Sequence, residues 1–156
     1  MGKKKIKKKK IVAVSGGFDP VHIGHVRMFK EAKKLGDKLV VILNNDNWLK
    51  LKKGYVFMPQ KERMEILGAF KYVDKVVVTK HKSGTKDISI GRDLMELKPD
   101  IFAKGGDRNI KNIPTIEGDV CKKIGCKIIN NMGKGGKVQS SSWLLMKYKN
   151  NKGLKK

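Results

Sequence analysis

The chain has 156 residues, 37 Lys and Arg against 14 Asp and Glu, and a formal net charge of +23. Its length suits one domain with one core, and 39% hydrophobic residues with a mean hydropathy of −0.45 fit a globular chain. The longest apolar runs, Ile11–Val14 and Leu39–Leu43, are far shorter than the roughly 20 residues of a membrane helix, and no apolar stretch of signal-peptide length follows the Lys-rich start, so the chain reads as cytoplasmic with no membrane partner.

In chain order, residues 1–10 hold seven Lys and no acid and read as a disordered tail. Ile11 to Ser15 is a short β-branched run, the pattern of a buried strand, broken by Gly16-Gly17 and the turn residue Pro20. From His22 to about Leu35, Val26, Phe29, Ala32 and Leu35 recur at helical spacing, and Gly36 stops the helix. Leu39 to Leu43 is a second buried strand. Asn44 to Phe57 reads as a polar, Lys-rich loop. Pro59 then opens a helix whose buried face is Met64, Leu67 and Phe70. Val76 to Thr79 is a third strand. The polar loop His81 to Lys86 leads to a helix with Ile90, Leu94 and Leu97 on one side. Asp100 to Lys104 is a fourth strand, stopped by Gly105-Gly106. A helix at Thr115 to Ile124, a strand at Lys127 to Ile129 and a helix at Ser140 to Tyr148 complete the domain, residues 11–148. Residues 149–156 form a second Lys-rich tail.

Strands alternating with helices, and strands apolar along their whole length, predict an α/β fold. Its doubly wound parallel five-stranded sheet is sandwiched by helices. Ligands bind such sheets beyond the carboxyl ends of the strands, where strand order reverses. The residues of chemical interest therefore belong just after strands, and they are found there.

After the first strand comes Gly16-Gly17-Phe18-Asp19-Pro20-Val21-His22-Ile23-Gly24-His25. Two glycines let the backbone turn tightly and approach a ligand. The helix N-terminus that follows attracts phosphate. His22 and His25 fall on the same face of its first turn, with Gly24 leaving room between them. Two imidazoles beside a phosphate can donate to charge developing in phosphoryl transfer; the plain alternative is a pair of helix-cap histidines. Only four of the 37 cations are Arg (Arg27, Arg63, Arg92 and Arg108), and isolated Arg residues in a Lys background are candidates for bidentate phosphate contacts. Cys121 and Cys126 fit no redox or zinc spacing, and no metal site is expected from the His and Cys residues.

The Gly-to-His25 stretch resembles the signature of the cytidylyltransferase-like nucleotidyltransferases, which bind a nucleoside triphosphate on a Rossmann-like fold. Lys50-Leu51-Lys52-Lys53-Gly54 resembles the family's Lys-rich loop, and Pro59-Gln60-Lys61-Glu62-Arg63-Met64 its E-x-R helix start. Pro99-Asp100-Ile101-Phe102-Ala103-Lys104-Gly105-Gly106-Asp107 is similar to a stretch of the heptose 1-phosphate adenylyltransferase branch, and Gln139-Ser140-Ser141-Ser142 resembles the motif that opens the last helix. Class I aminoacyl-tRNA synthetases share His-Ile-Gly-His, but this chain is far too short for one and lacks their second signature loop.

The resemblance implies that a phosphorylated sugar or alditol attacks the α-phosphorus of ATP or CTP and that pyrophosphate leaves, with no covalent enzyme intermediate. It assigns catalytic roles to His22, His25, Lys50, Lys52 and Arg63, with Arg63 gripping the β- and γ-phosphates. It assigns nucleotide contacts to Gly16, Gly17, Phe18, Asp19, Gly24, Lys104, Gly105, Gly106, Asp107, Gln139, Ser140, Ser141 and Ser142, Asp19 as an orienting residue rather than a base. Mg²⁺ is expected on the triphosphate with few protein ligands, and a homodimer by analogy. A heptose 1-phosphate acceptor with ATP stands first and glycerol 3-phosphate with CTP second; relatives that adenylylate phosphopantetheine or FMN match Lys-Gly-Gly-Asp less well. A nucleotide-binding pseudoenzyme is disfavoured by the intact histidines. A nucleic-acid-binding protein is the alternative from a different class; 6% aromatic residues give little to stack on bases, while weak polyanion binding through the Lys tails is in keeping with the charge.

Overall fold

Ile11–Gly16 forms β1, and its alternation decides which side of the sheet each residue serves. Val12 and Val14 are fully buried on one face and Ala13 on the other, as period-two geometry requires of a strand covered on both sides. The computed structural model describes residues 6–106, 115–133 and 139–151. After β1 the chain runs through α1 (Ile23–Lys33), β2 (Lys38–Leu43), α2 (Asp46–Lys53), α3 (Gln60–Gly68), β3 (Lys75–Val78), α4 (Gly91–Leu97), β4 (Ile101–Gly105), α5 (Thr115–Ile124), β5 (Lys127–Met132) and α6 (Ser141–Asn151).

The five strands are parallel, in the order β3-β2-β1-β4-β5. The chain steps outward from β1 to β3, then returns to the other side of β1 for β4 and β5. Strand order therefore reverses between β1 and β4, and the crevice for a ligand lies beyond their carboxyl ends. One core joins Phe29 and Ala32 of α1 and Leu67 of α3 to Val12, Val14, Leu39 and Val41. The other joins Leu94 of α4 and Cys121 of α5 to Ala13, Ile42 and Phe102. This is the doubly wound α/β sandwich expected from the sequence. No helix among the described residues is long and apolar enough to cross a membrane.

Three local expectations are corrected. Residues 46–53 form a helix, not a loop: Asn45 Oδ1 caps it by accepting from Trp48 N at 2.9 Å, and Gly54 closes it with φ 81°. Lysines are good helix formers, so a run of them does not mark a loop. In α3 the inward residues are Arg63 and Leu67, while Met64 is 42% exposed; a buried guanidinium replaced the apolar residue that the pattern demanded. Finally, α6 runs to Asn151, three residues past the expected boundary.

Candidate active site

The turn after β1 is built on close approach. A Cβ on Gly17 would stand 2.9 Å from Leu49 Cδ2, so any side chain there would push the buried Leu49 of α2 out of place. Phe18 takes φ 50°, a left-handed conformation that costs a bulky residue about 1–2 kcal/mol. Packing holds it there: its ring is 3% exposed and meets His25 edge-on at 4.7 Å and Phe29 at 5.4 Å. Phe18 is therefore a wedge behind His25, and its ring is not open to a nucleotide as the sequence suggested. The Asp19–Pro20 peptide is cis.

His22 and His25 cap α1 reciprocally. His22 Nδ1 accepts from Gly24 N at 3.1 Å, and His25 Nδ1 accepts from His22 N at 3.2 Å. A backbone N–H can only donate, so each Nδ1 is unprotonated and each neutral ring carries its proton on Nε2. The rings stack with centroids 3.7 Å apart. Burial, then the repulsion the two rings would feel if both were protonated, then the Lys53 charge, push His25 down to about 3. These are helix-cap histidines, and the cap sets both rings at a helix N-terminus, beside the point where strand order reverses.

Arg63 lies elsewhere than expected. Its side chain is fully buried. Nε donates to Met58 O at 2.8 Å, Nη1 to Gly17 O at 2.6 Å and to Asn44 O at 2.8 Å, and Nη2 to Asp46 Oδ1 at 2.7 Å. With these donors engaged, Arg63 ties the ends of β1 and β2 to the segment before α3 instead of gripping phosphate. Asp19 is likewise fully buried. Its carboxylate accepts from Phe57 N at 2.7 Å and Met58 N at 2.6 Å, so it anchors residues 57 and 58 rather than a nucleotide.

The lysines of α2 divide by helical phase. Leu49 is fully buried, and Lys53, four residues on, shares its face. Lys50 and Lys52 are exposed; Lys53 is half-buried. Burial lowers the pKa of the Lys53 ammonium, Asp19 opposes that shift, and Arg63 adds to it. The charge of Lys53 also acts on His25. Lys53 is therefore the α2 lysine whose charge is felt at His25. The sequence signal that pointed to it was Leu49-x-x-x-Lys53 between a cap Asn and a cap Gly, which a loop assignment hid.

At the end of β4, Lys104 shares a sheet face with Phe102, and α5 covers it. Its ammonium is buried, 2.8 Å from Glu117 Oε2 and 4.9 Å over the Phe102 ring. That ion pair uses the charge once expected at the nucleotide. Gly105 and Gly106 do follow at the crevice; a Cβ on Gly105 would meet Met28 Sδ at 2.6 Å, and Gly106 has φ 69°. Asp107 falls outside the described residues.

The start of α6 reaches the same crevice. Ser141 Oγ donates to Pro20 O at 2.7 Å, Ser140 Oγ accepts from Trp143 N at 3.1 Å, and Gln139 Oε1 accepts from Ser140 N at 3.1 Å. The α1 and α6 N-termini thus meet at the cis-proline turn, across 121 residues of sequence, and Ser142 is exposed in the first turn of α6. Among the described residues no three His, Cys, Asp or Glu side chains gather to hold a metal, and Asp19 has both oxygens engaged. Two helix N-termini, two imidazoles and one half-buried lysine gather at this crevice, and helix N-termini favour anions.

The chain is 41% identical over 99 residues to a FAD synthase of Pyrococcus horikoshii, covering 63% of this chain and 64% of that one. It is 39% identical over 122 residues to the bifunctional protein HldE of Campylobacter jejuni subsp. doylei, covering 77% of this chain and 25% of the relative. FAD synthases and HldE proteins thus both stand among the relatives, at 41% and 39% identity in these two cases. Among solved structures, the lipopolysaccharide core biosynthesis protein of Thermoplasma volcanium superposes with a TM-score of 0.64 at 27% identity, covering 81% of this chain and 98% of the other. The cytidylyltransferase-like profile matches residues 13–145, and the chain belongs to that family of nucleotidyltransferases.

Proposed function

We propose that the protein transfers a nucleotidyl group from ATP or CTP to a phosphorylated small molecule. The observation that carries this reading is the reciprocal cap, which keeps His22 and His25 neutral with their protons on Nε2 at the head of α1. An acceptor phosphate oxygen attacks the α-phosphorus. The new P–O bond forms as the bond to the α,β-bridging oxygen breaks, and pyrophosphate leaves with that electron pair. The two Nε2–H groups donate to the α-phosphate and bridging oxygens as charge grows on them. Lys53 supplies a point charge to the reacting phosphorus. Ser140 and Ser142, with the backbone N–H groups of the α6 N-terminus, hold the β- and γ-phosphates, while Ser141 ties that helix start to Pro20 O. Gly16, Gly17, Gly24, Gly105 and Gly106 leave the backbone open to ribose and base.

Mg²⁺ bound across the triphosphate would offset its charge, and with the Asp19 oxygens both engaged its ligands would come from phosphate and water. For the acceptor, FMN is supported by kinship with FAD synthase and by Tyr55 and Phe57, exposed aromatic side chains on or beside the segment that Asp19 anchors, suited to stacking on a flat ring. Heptose 1-phosphate is the second reading, supported by kinship with HldE.

The test is pyrophosphate release with ATP or CTP against FMN, heptose 1-phosphate and glycerol 3-phosphate. ATP with FMN is expected to give the highest kcat/KM. Tight nucleotide binding without release on any acceptor would sink the transferase reading.

A further inference from the structure

Each parallel strand begins at or just after an exposed lysine: Lys10 before β1, Lys38 opening β2, Lys75 opening β3, Lys98 before β4 and Lys127 opening β5. Parallel strands start on one edge, so in sheet order the row reads Lys75, Lys38, Lys10, Lys98, Lys127. Strands stand about 4.8 Å apart, so the row is about 19 Å long. It lies at the opposite edge of the sheet from the histidines, a strand length of about 20 Å away.

Three carboxylates share this edge, and each is turned onto a backbone N–H. Asp37 accepts from Lys10 N at 2.7 Å, Asp100 from Ile11 N at 2.8 Å and Asp74 from Leu39 N at 2.7 Å; Asp74 also takes Lys33. They pin the strand starts and leave the row of ammonium groups facing water. Lys7 to Lys10 continue the row and, with Asp37 and Asp100, line an open cavity of about 450 Å³. Helix C-termini also point toward this edge, and cations there offset helix dipoles; that accounts for Lys33 and Lys34 at the end of α1 and for Lys98, the C-cap of α4, but not for Lys10, Lys38, Lys75 and Lys127.

We propose that this edge docks nucleic acid by its phosphodiester backbone, without reading bases. The row matches about five phosphates of one duplex strand at about 3.4 Å each. No exposed apolar side chain flanks any of the five lysines, which favours a phosphate backbone over a lipid surface, where an apolar anchor adds to binding.

The experiment is fluorescence anisotropy of the full chain with a labelled DNA duplex of mixed sequence and about two helical turns, titrated between about 50 and 200 mM salt. The triple variant K38Q/K75Q/K127Q should lower the slope of log K against log salt by about 3, each single variant by about 1. Its pyrophosphate release should match the parent, since these side chains lie far from the histidines. The control K61Q/K82Q/K86Q removes the same charge from exposed lysines off this edge and should leave the slope near the parent's. Equal loss in the control would mean bulk charge alone, and loss only in K7Q/K8Q/K9Q would mean the tail alone; either overturns the docking face. So would binding to phosphatidylserine vesicles with none to the duplex. Single variants and circular dichroism guard against a misfolded triple variant.

Discussion

Arg63 Nη1 lies 2.6 Å from the carbonyl oxygen of Gly17, so a guanidinium on α3 holds the turn that precedes the histidines. The same nitrogen takes Asn44 O, and the group's other nitrogens take Met58 O and Asp46. Arg63→Ala strands one buried and two part-buried carbonyls and a carboxylate, and should destabilise the fold by about 3–5 kcal/mol. Arg63→Lys cannot rebuild the fork and should recover only part of that. Urea unfolding measures both; a loss under about 1 kcal/mol for Arg63→Ala would contradict the keystone role.

His25→Asn separates capping from catalysis. The Asn oxygen can still accept the His22 N–H, while the Nε2–H donor is gone. Stability should stay within about 1 kcal/mol of the parent, and kcat should fall by about 10²–10³. Turnover near the parent's would remove His25 from the transition state.

The depressed pKa of His25 has two measurable consequences. With a folded value of about 3 against an ordinary 6.5, the unfolded chain binds more protons between those values. This group's share of stability is therefore fully present above about 6.5 and is lost as pH falls toward 3. In the folded protein the ring stays neutral across the working range. Its Cε1–H resonance should not move between about pH 8 and 5; a titration centred near 6.5 would show that the ring is neither dry nor acting as a fixed neutral donor.

The three lysines of α2 should differ in steady-state kinetics. Lys53→Met removes the charge felt at His25 and Asp19 and should lower kcat/KM by about 10-fold or more. Lys50→Met and Lys52→Met change exposed side chains and should stay within about twofold. A larger loss at Lys50 or Lys52 than at Lys53 would reverse the assignment.

Much of this was legible beforehand for a physical reason. Strand and helix periods are local properties, and most elements were found within two residues of their bounds, while β5 and α6 each run three residues further. The histidine pair was legible because both cap partners lie within three residues of one another. The α2 helix was missed because its apolar signal is one residue, Leu49, in a lysine run. Arg63 was misassigned because charge normally marks an exposed face, and here it marks a buried one.

By itself, the sequence determined the layered α/β fold and the capped histidine pair at the head of α1, since both follow from residues close together in the chain. The tertiary structure alone decided which charges meet. Arg63 finds a carbonyl 46 residues away, Lys104 finds Glu117 across the β4–α5 connection, and Lys53 shares its surroundings with Asp19 and His25. Coulomb attraction and desolvation act through space, so whether a cation faces a ligand or a carboxylate is fixed only when distant segments pack.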